Sequence, residues 1–135
     1  MDVQKIRGDF PILDGEIIYF DNAATSLTPR QVVSSETEYY EKFNANIHRG
    51  VHELSQIASE HYESVYKKVS GLINSKPGEI AFTKNTTEGI NLVASGLNFK
   101  KGDKVVVTAV EHHSNFLPWL RLKKKFNINL EILMP

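Results

Sequence analysis

The second half of the chain alternates between segments typical of strands and segments typical of helices. This order limits the possible folds more than any other feature of the sequence. Short apolar segments at 79–83, 103–110 and 128–133 are predicted strands, and the patterns over 86–97 and 115–126 predict helices. Strand, helix, strand, helix, strand is the order of parallel βαβ units. The sequence therefore predicts an α/β fold.

The first half of the chain is predicted to be helical. Residues 29–43 begin with proline and carry an apolar-periodic pattern, which predicts a helix. In 54–72 the apolar residues recur in steps of three and four, which predicts an amphipathic helix of about five turns. We therefore expect a helical segment over 1–73 and the start of a sheet-containing domain over 74–135.

Composition excludes several classes of protein. Hydrophobic residues make up 41% of the chain, enough for a core, and the 16 basic residues balance the 16 acidic ones. This balance favours neither nucleic acid nor an acidic membrane as a partner. The absence of cysteine excludes a disulfide scaffold and thiolate metal sites. Because neither a membrane span nor a signal peptide is recognisable, we expect a cytoplasmic protein.

The last predicted strand runs almost to the end of the sequence at Pro135. A sheet of three parallel strands would leave an open edge with unpaired backbone groups. We therefore expect the front part of a longer protein, or a chain that needs a partner.

The segment KNTTEG, at 84–89, lies between the first predicted strand and the next helix. Asn85 is a suitable N-cap, and Glu88 follows three residues later as in a capping box. The amides and hydroxyls of Thr86 and Thr87 would then converge with the helix dipole on one point. Such a point is an anion site, and phosphate is its usual occupant. The alternative is that Asn85 and Glu88 only cap the helix.

A second polar cluster, EHHSN, follows the predicted strand 103–110. His112 and His113 lie one βαβ unit after the predicted anion site and could flank the same ligand, since imidazole stacks on aromatic rings and titrates near neutrality. The alternative is a helix-start loop in which Ser114 or Asn115 is the cap and the histidines are bonded locally.

A metal site is a third interpretation of the histidines. His48 and His52 are four residues apart, and His112 and His113 are adjacent. Against it, the segment HRGVH has glycine at its centre and lacks the glutamate of an HExxH motif, and no cysteine is available.

Four motifs together resemble a known family. They occur in order and at compatible spacing: YFDNAATSLTP (19–29), NANIHRGVHELSQIA (44–58), FTKNTTEGINLVA (82–94) and GDKVVVTAVEHHSNFLPW (102–119). They resemble the N-terminal third of pyridoxal-phosphate-dependent cysteine desulfurases, in the class V aminotransferase group of fold type I. HRGVH and EHHSN resemble the Suf-type (group II) branch more than the Isc-type branch. The resemblance covers almost the whole chain.

The resemblance implies a fold and roles for several residues. The fold would be an N-terminal helical segment followed by the start of a mainly parallel fold type I transferase sheet with helices on both faces. Thr86 and Thr87 match the residues that bind the cofactor phosphate. His112 matches the histidine that stacks on the pyridine ring and is a proposed proton-transfer group, so it is the predicted catalytic residue. His113 would support it.

Two further motifs receive assignments from the resemblance alone. Ala23 and Ala24, within DNAAT, would lie near the substrate entrance. His48 and Arg49, within HRG, would lie near the active site and the dimer interface. Residues 1–73 would belong to the small domain and the entrance, and 74–135 would begin the large cofactor-binding domain.

The implied reaction removes sulfur from L-cysteine to give L-alanine and an enzyme persulfide, for iron–sulfur cluster or other sulfur assembly. The resemblance implies pyridoxal 5'-phosphate as cofactor, a homodimer of the complete enzyme and a sulfur-acceptor protein. The cofactor-bearing lysine motif, the acidic partner of the pyridine nitrogen and the nucleophilic cysteine of the family do not occur in this sequence. Many relatives also have glycine where Asn85 stands. We therefore expect activity only together with a C-terminal part.

Two alternatives stay open. The first is another class V enzyme, such as a cysteine lyase, a selenocysteine lyase or an epimerase, because the deciding residues lie downstream in the family. The second is a non-catalytic interaction module that docks on a separately encoded partner chain.

Overall fold

The computed structural model describes residues 1–135. The chain forms two compact units, Met1–Ile80 and Ala81–Pro135. The assignment of 1–73 and 74–135 to the small and large domains of the family stays a prediction.

The first unit is helical. Its helices are α1 (Val3–Arg7), α2 (Arg30–Glu38), which continues into a π-helical turn at Tyr39–Phe43, and α3 (Glu53–Ile73), with short 3-10 turns at Pro11–Leu13 and Pro77–Glu79. The helices predicted over 29–43 and 54–72 are confirmed. A prediction from periodicity succeeds here because the apolar spacing is a local property of the helix.

Helix α3 is bounded by side chains and backbone geometry that suit its ends. At its start, Nδ1 of His52 accepts a hydrogen bond from the Ser55 amide at 3.3 Å. At its end, Asn74 adopts a left-handed conformation with φ of 55°, which asparagine tolerates better than most residues. The next amide, Ser75 N–H, then donates to the carbonyl of Ser70 at 2.9 Å, as in a helix C-cap.

The second unit contains a parallel βαβ arrangement. Its elements are α4 (Thr86–Gly96), β1 (Lys104–Thr108), a 3-10 turn at His113–Asn115, α5 (Leu117–Phe126) and β2 (Asn129–Leu133). Strands β1 and β2 pair in parallel with Val106 opposite Glu131. Ala94, Leu122 and Ile128 form the buried cluster, against which Phe99, Val105, Trp119 and Phe126 pack. The parallel pairing predicted for these segments is confirmed.

The strand predicted over 79–83 is wrong. Glu79 closes the 3-10 turn at Pro77–Glu79, and its carboxylate accepts from the Lys76 amide at 2.9 Å. The backbone at Ile80 is extended, but the sheet consists of β1 and β2 alone. Apolar composition can favour an extended segment, but a strand also needs a neighbouring backbone with which to pair.

None of the helices combines the length and the apolar character that crossing a membrane requires.

Candidate functional site

The start of α4 is capped as the sequence predicts. Oδ1 of Asn85 accepts from the Glu88 amide at 2.9 Å, so Asn85 is the N-cap. The Glu88 carboxylate accepts from the Lys84 amide at 2.6 Å. A strict capping box would direct that carboxylate to the amide of Asn85 itself, so the second bond is displaced by one residue. Two hydrogen bonds therefore fix the loop before the helix to the first turn of α4.

This capping leaves two backbone donors at the start of α4. The Glu88 amide donates to the Asn85 side chain, and the Gly89 amide donates to the Asn85 carbonyl at 3.1 Å. The amides of Thr86 and Thr87 come earlier in the first turn and have no intrahelical acceptor. Both residues are exposed. Two amides, two hydroxyls and the positive end of an eleven-residue helix form a suitable anion site.

Asn85→Ala tests the cap directly. We expect a loss of about 1 kcal/mol in the free energy of unfolding, because the Glu88 amide loses its acceptor. Asn85→Asp keeps a side-chain oxygen and should stay close to wild type. Urea unfolding followed by the fluorescence of Trp119, the one tryptophan of the chain, measures both variants. Equal losses in the two variants would contradict the role of Asn85 as an N-cap.

The side chain of His112 holds the loop over residues 111–115, called the EHH loop below. The Ser114 amide donates to His112 Nδ1 at 3.2 Å, and Ser114 Oγ lies 2.8 Å from the same nitrogen. The 3-10 turn His113–Asn115 is therefore capped by His112 and not by Ser114 or Asn115. Because Nδ1 accepts a hydrogen bond from an amide, the neutral ring carries its proton on Nε2. The ring is exposed, so Nε2 and the ring face are available to a ligand.

Sequence reasoning assigned no role to Glu111, which is hydrogen-bonded on both carboxylate oxygens. Asn115 Nδ2 donates to one oxygen and Thr108 Oγ1 to the other, each at 2.8 Å. These hydrogen bonds, from Asn115 first and Thr108 second, lower the pKa of Glu111. The spacing of four between Glu111 and Asn115 was the available signal, but such a spacing predicts contact only within a helix.

Helix α4 and the EHH loop share a surface depression. Its volume is about 210 Å³, and its lining includes Thr87 and Asn91 of α4, His113 and Ser114 of the turn, and Arg121 of α5. The structure therefore places Thr87 beside the loop, and the shared ligand site of Thr87 and His112 stays a prediction. The histidine that lines this depression is His113.

The DNAAT motif lies in the first unit as a tight exposed turn. The Ala24 amide donates to the Asp21 carbonyl at 3.1 Å. The Tyr19 hydroxyl lies within hydrogen-bond distance of two carbonyls, that of Asp21 at 3.2 Å and that of Thr25 at 2.9 Å. Ala23 and Ala24 are therefore presented to solvent on a turn that Tyr19 holds.

The HRG motif lies before α3 in an unusual backbone conformation. His48 has a φ of 64°, and its amide donates to Ser59 Oγ at 2.9 Å. Its ring meets Tyr62 edge-on, and Nδ1 lies 3.8 Å from the carboxylate of Glu63. Arg49 is exposed. A left-handed backbone is uncommon at residues other than glycine, and here the contacts with Ser59 and Tyr62 of α3 accompany it.

Two of the histidines have local structural roles. His52 caps α3, and His112 caps the 3-10 turn. No group of three or more His, Cys, Asp or Glu side chains in the chain is placed to hold a metal ion.

The family model described as aminotransferase class-V matches residues 18–135. The chain belongs to the class-V aminotransferase family.

Similar proteins of this family are named cysteine desulfurases. A probable cysteine desulfurase of Pyrococcus abyssi is 55% identical over 132 residues, which cover 96% of this chain and 33% of that protein. The solved cysteine desulfurase of Thermococcus onnurineus is 53% identical with a TM-score of 0.91, covering 97% of this chain and 33% of the other. The cysteine desulfurase CsdA of Escherichia coli is 32% identical with a TM-score of 0.81, covering 99% and 35%.

These comparisons confirm the resemblance and the fold type I class that it implies. The chain spans about a third of the length of the relatives that it matches. The Suf-type branch stays a prediction.

In this class-V aminotransferase chain the residues at the start of α4 fit the phosphate of the cofactor that the family implies. A phosphate group offers oxygen acceptors and negative charge, and the amides and hydroxyls of Thr86 and Thr87 offer donors at a positive helix end. The side chains of Glu88 and Asn85 accept from the Lys84 and Glu88 amides and not from the two threonines, whose donors can act on a ligand.

Proposed function

We propose that this chain provides the phosphate-binding and ring-stacking part of a pyridoxal-phosphate-dependent cysteine desulfurase. Such an enzyme takes sulfur from L-cysteine and yields L-alanine and an enzyme persulfide. The observation that carries the proposal is the start of α4, where Asn85 caps the helix and leaves Thr86 and Thr87 as exposed donors.

Thr86 and Thr87 bind the cofactor phosphate in this proposal. Their amides point from the first turn of α4, where the helix dipole favours negative charge. Their hydroxyls add two side-chain donors, and Thr87 is the main one because it also lines the depression beside the EHH loop. The capping bonds of Asn85 and Glu88 hold the loop in place before a ligand arrives.

His112 stacks on the cofactor ring and holds or moves a proton at Nε2. Its Nδ1 is occupied by the Ser114 amide, which fixes the tautomer and the direction of the ring. Pyridoxal phosphate, when bound, supplies an electron-poor ring that takes up electron density from the α-carbon of an amino acid. The part of His112 is to orient that ring and to exchange a proton beside it.

The remaining groups of the reaction come from other residues in this proposal. The sequence has no cysteine, so the thiol that accepts sulfur must come from residues outside it. Residues outside the sequence also supply the lysine that carries the cofactor and the acidic residue that pairs with the ring nitrogen. We assign Ala23 and Ala24 to the substrate entrance, and His48 and Arg49 to the surroundings of the active site and a homodimer interface.

Thr87→Ala should weaken the binding of pyridoxal phosphate about tenfold or more, because a hydrogen bond to a charged group is worth about 1.5–3 kcal/mol. Binding of pyridoxal, which has no phosphate, should not change. Isothermal titration of both compounds into wild type and variant, each mixed with a polypeptide that carries the remaining two thirds of a relative, measures the ratio of the two affinities.

The matched control is Ser95→Ala, which removes an exposed hydroxyl from the other end of the same helix. It should leave both affinities unchanged. If Thr87→Ala preserves the preference for pyridoxal phosphate over pyridoxal, the phosphate assignment is wrong.

The reaction itself is tested by mixing the chain with a polypeptide that carries the remaining two thirds of a relative. We expect L-alanine to form from L-cysteine in amounts that match the persulfide. Cofactor binding without alanine would argue against desulfuration and in favour of another class V reaction. Absence of cofactor binding in the mixture would favour the interaction module.

A further inference from the structure

The EHH loop contains a chain of hydrogen bonds that the proposed function does not use. It begins at Thr108, the last residue of β1, whose hydroxyl donates to the Glu111 carboxylate at 2.8 Å. The other carboxylate oxygen accepts from Asn115 Nδ2 at 2.8 Å. Asn115 Oδ1 in turn accepts from Trp119 Nε1 at 3.1 Å. These three hydrogen bonds thus connect the end of strand β1 with the start of α5.

Both ends of this chain of bonds are anchored. Thr108 lies in the parallel ladder opposite Leu133. Trp119 packs against the buried cluster of the second unit and meets Phe99 edge-on, with ring centroids 6.4 Å apart. Glu111 and Asn115 are half-buried. A carboxylate held by two donors between two fixed elements loses the rotational freedom of a surface side chain.

His112 lies between the two central residues of this chain of bonds. Glu111 precedes it directly in sequence. Asn115 makes two hydrogen bonds here. Its backbone amide donates to the His112 carbonyl at 2.8 Å, and its side chain donates to the Glu111 carboxylate. The backbone of His112 is therefore held from before and after, and the ring is held through Nδ1 by Ser114.

We propose that Glu111 is a positioning residue which, bonded to Thr108 and Asn115, fixes the loop that presents the His112 ring. This inference deepens the proposed function and rests on it for the use of His112. The carboxylate need not touch cofactor or substrate; it acts through Asn115 and the turn. A glutamate is ionised near neutral pH, so both carboxylate oxygens accept, and the hydrogen bonds from Asn115 and Thr108 lower its pKa.

The donor and acceptor pattern allows a swap experiment. Glu111→Gln alone removes the negative charge, and it keeps both bonds only if the Thr108 hydroxyl turns from donor to acceptor. Asn115→Asp alone brings two carboxylates together. Glu111→Gln with Asn115→Asp restores every bond with the central one reversed. The new amide at position 111 then accepts from Thr108 and donates to the new carboxylate at position 115, which still accepts from Trp119. The double variant also keeps the net charge of the wild-type pair.

The readout is the imidazole 15N spectrum of His112, assigned by comparison with His112→Gln. In wild type we expect the Nε2–H tautomer to predominate. Asn115→Asp should shift the His112 signals toward the average of the two tautomers, Glu111→Gln should shift them less, and the double variant should restore them. Thr108→Val, which removes one hydroxyl but keeps a β-branched strand residue, should shift the same signals by a smaller amount.

The matched control is Glu131→Gln. It makes the same chemical change in a β2 carboxylate that pairs with Lys104 at 2.8 Å, and it should leave His112 unchanged. Unchanged His112 signals in both single variants, or in Thr108→Val if the single variants do not fold, would overturn the proposal. So would single-variant signals that the double swap fails to restore.

The measurement separates this inference from the proposed function because it needs no pyridoxal phosphate. A restored His112 spectrum, together with absence of cofactor binding in the mixture with the remaining two thirds of a relative, would support the positioning role and argue against the desulfurase. Cofactor binding that depends on Thr87, with a His112 spectrum insensitive to Glu111, would support the proposed function and contradict the positioning role of Glu111.

Discussion

Ile128→Ala should lower the free energy of unfolding of the second unit by about 2–5 kcal/mol. Ile128 is 1% exposed and lies in the buried cluster with Ala94 and Leu122. Removing its side chain loses apolar burial and leaves a cavity that the neighbours fill only partly. Urea unfolding followed by Trp119 fluorescence measures this loss, because Trp119 packs against the same cluster.

The matched control is Ile132→Ala, which makes the same change on β2 at a side chain that is 45% exposed. The loss of unfolding free energy should be smaller, about 1 kcal/mol or less, since folding buries less apolar area at this position. Equal costs at the two positions would show that Ile128 does not occupy the centre of the core.

Gly50→Ala should destabilise the first unit by about 1–3 kcal/mol, a typical cost of overpacking. A Cβ at this position would lie 2.5 Å from both Cβ and Oγ of Ser55 and 3.0 Å from His52 Nε2. Ser55 cannot move easily, because it is 1% exposed and its hydroxyl bonds to the Gly50 amide and the Asn46 carbonyl. Thermal unfolding followed by the helical circular dichroism signal measures this loss of stability.

Gly71→Ala is the opposite case in the same unit. Gly71 lies within α3, and a Cβ there would meet nothing within 4 Å. Alanine should therefore stabilise the helix by about 0.5–1 kcal/mol, through the smaller entropy loss on folding. A gain at Gly50 would contradict the close approach between the HRG turn and α3, and a loss at Gly71 would contradict the open space around that residue.

Features that depend on nearby residues were predictable from the sequence. The long helix α3 follows from apolar residues in steps of three and four, and the N-cap role of Asn85 follows from its place before an apolar-periodic run. The parallel pair of β1 and β2 followed from the alternation of elements, because a strand, a helix and a strand connect best in parallel. The family followed from four motifs in order.

Other features depend on atoms that sequence distance does not bring together. The strand expected over 79–83 does not form, because pairing needs a neighbouring backbone. The Glu88 carboxylate bonds to the Lys84 amide and not to that of Asn85. Periodicity describes which face of an element is apolar, but it does not describe where a loop carboxylate will find its donors.

The contacts around the HRG turn and the EHH loop show the same division. Sequence motifs marked Gly50 and His112 as residues of interest. Only the folded chain shows that Gly50 lies against Ser55, or that Glu111 joins Thr108 to Asn115 across a loop. Helix periodicity and capping act over about four residues along the chain. Close packing and loop hydrogen bonds depend on how whole elements approach each other. That approach is determined by the packing of buried side chains within each unit.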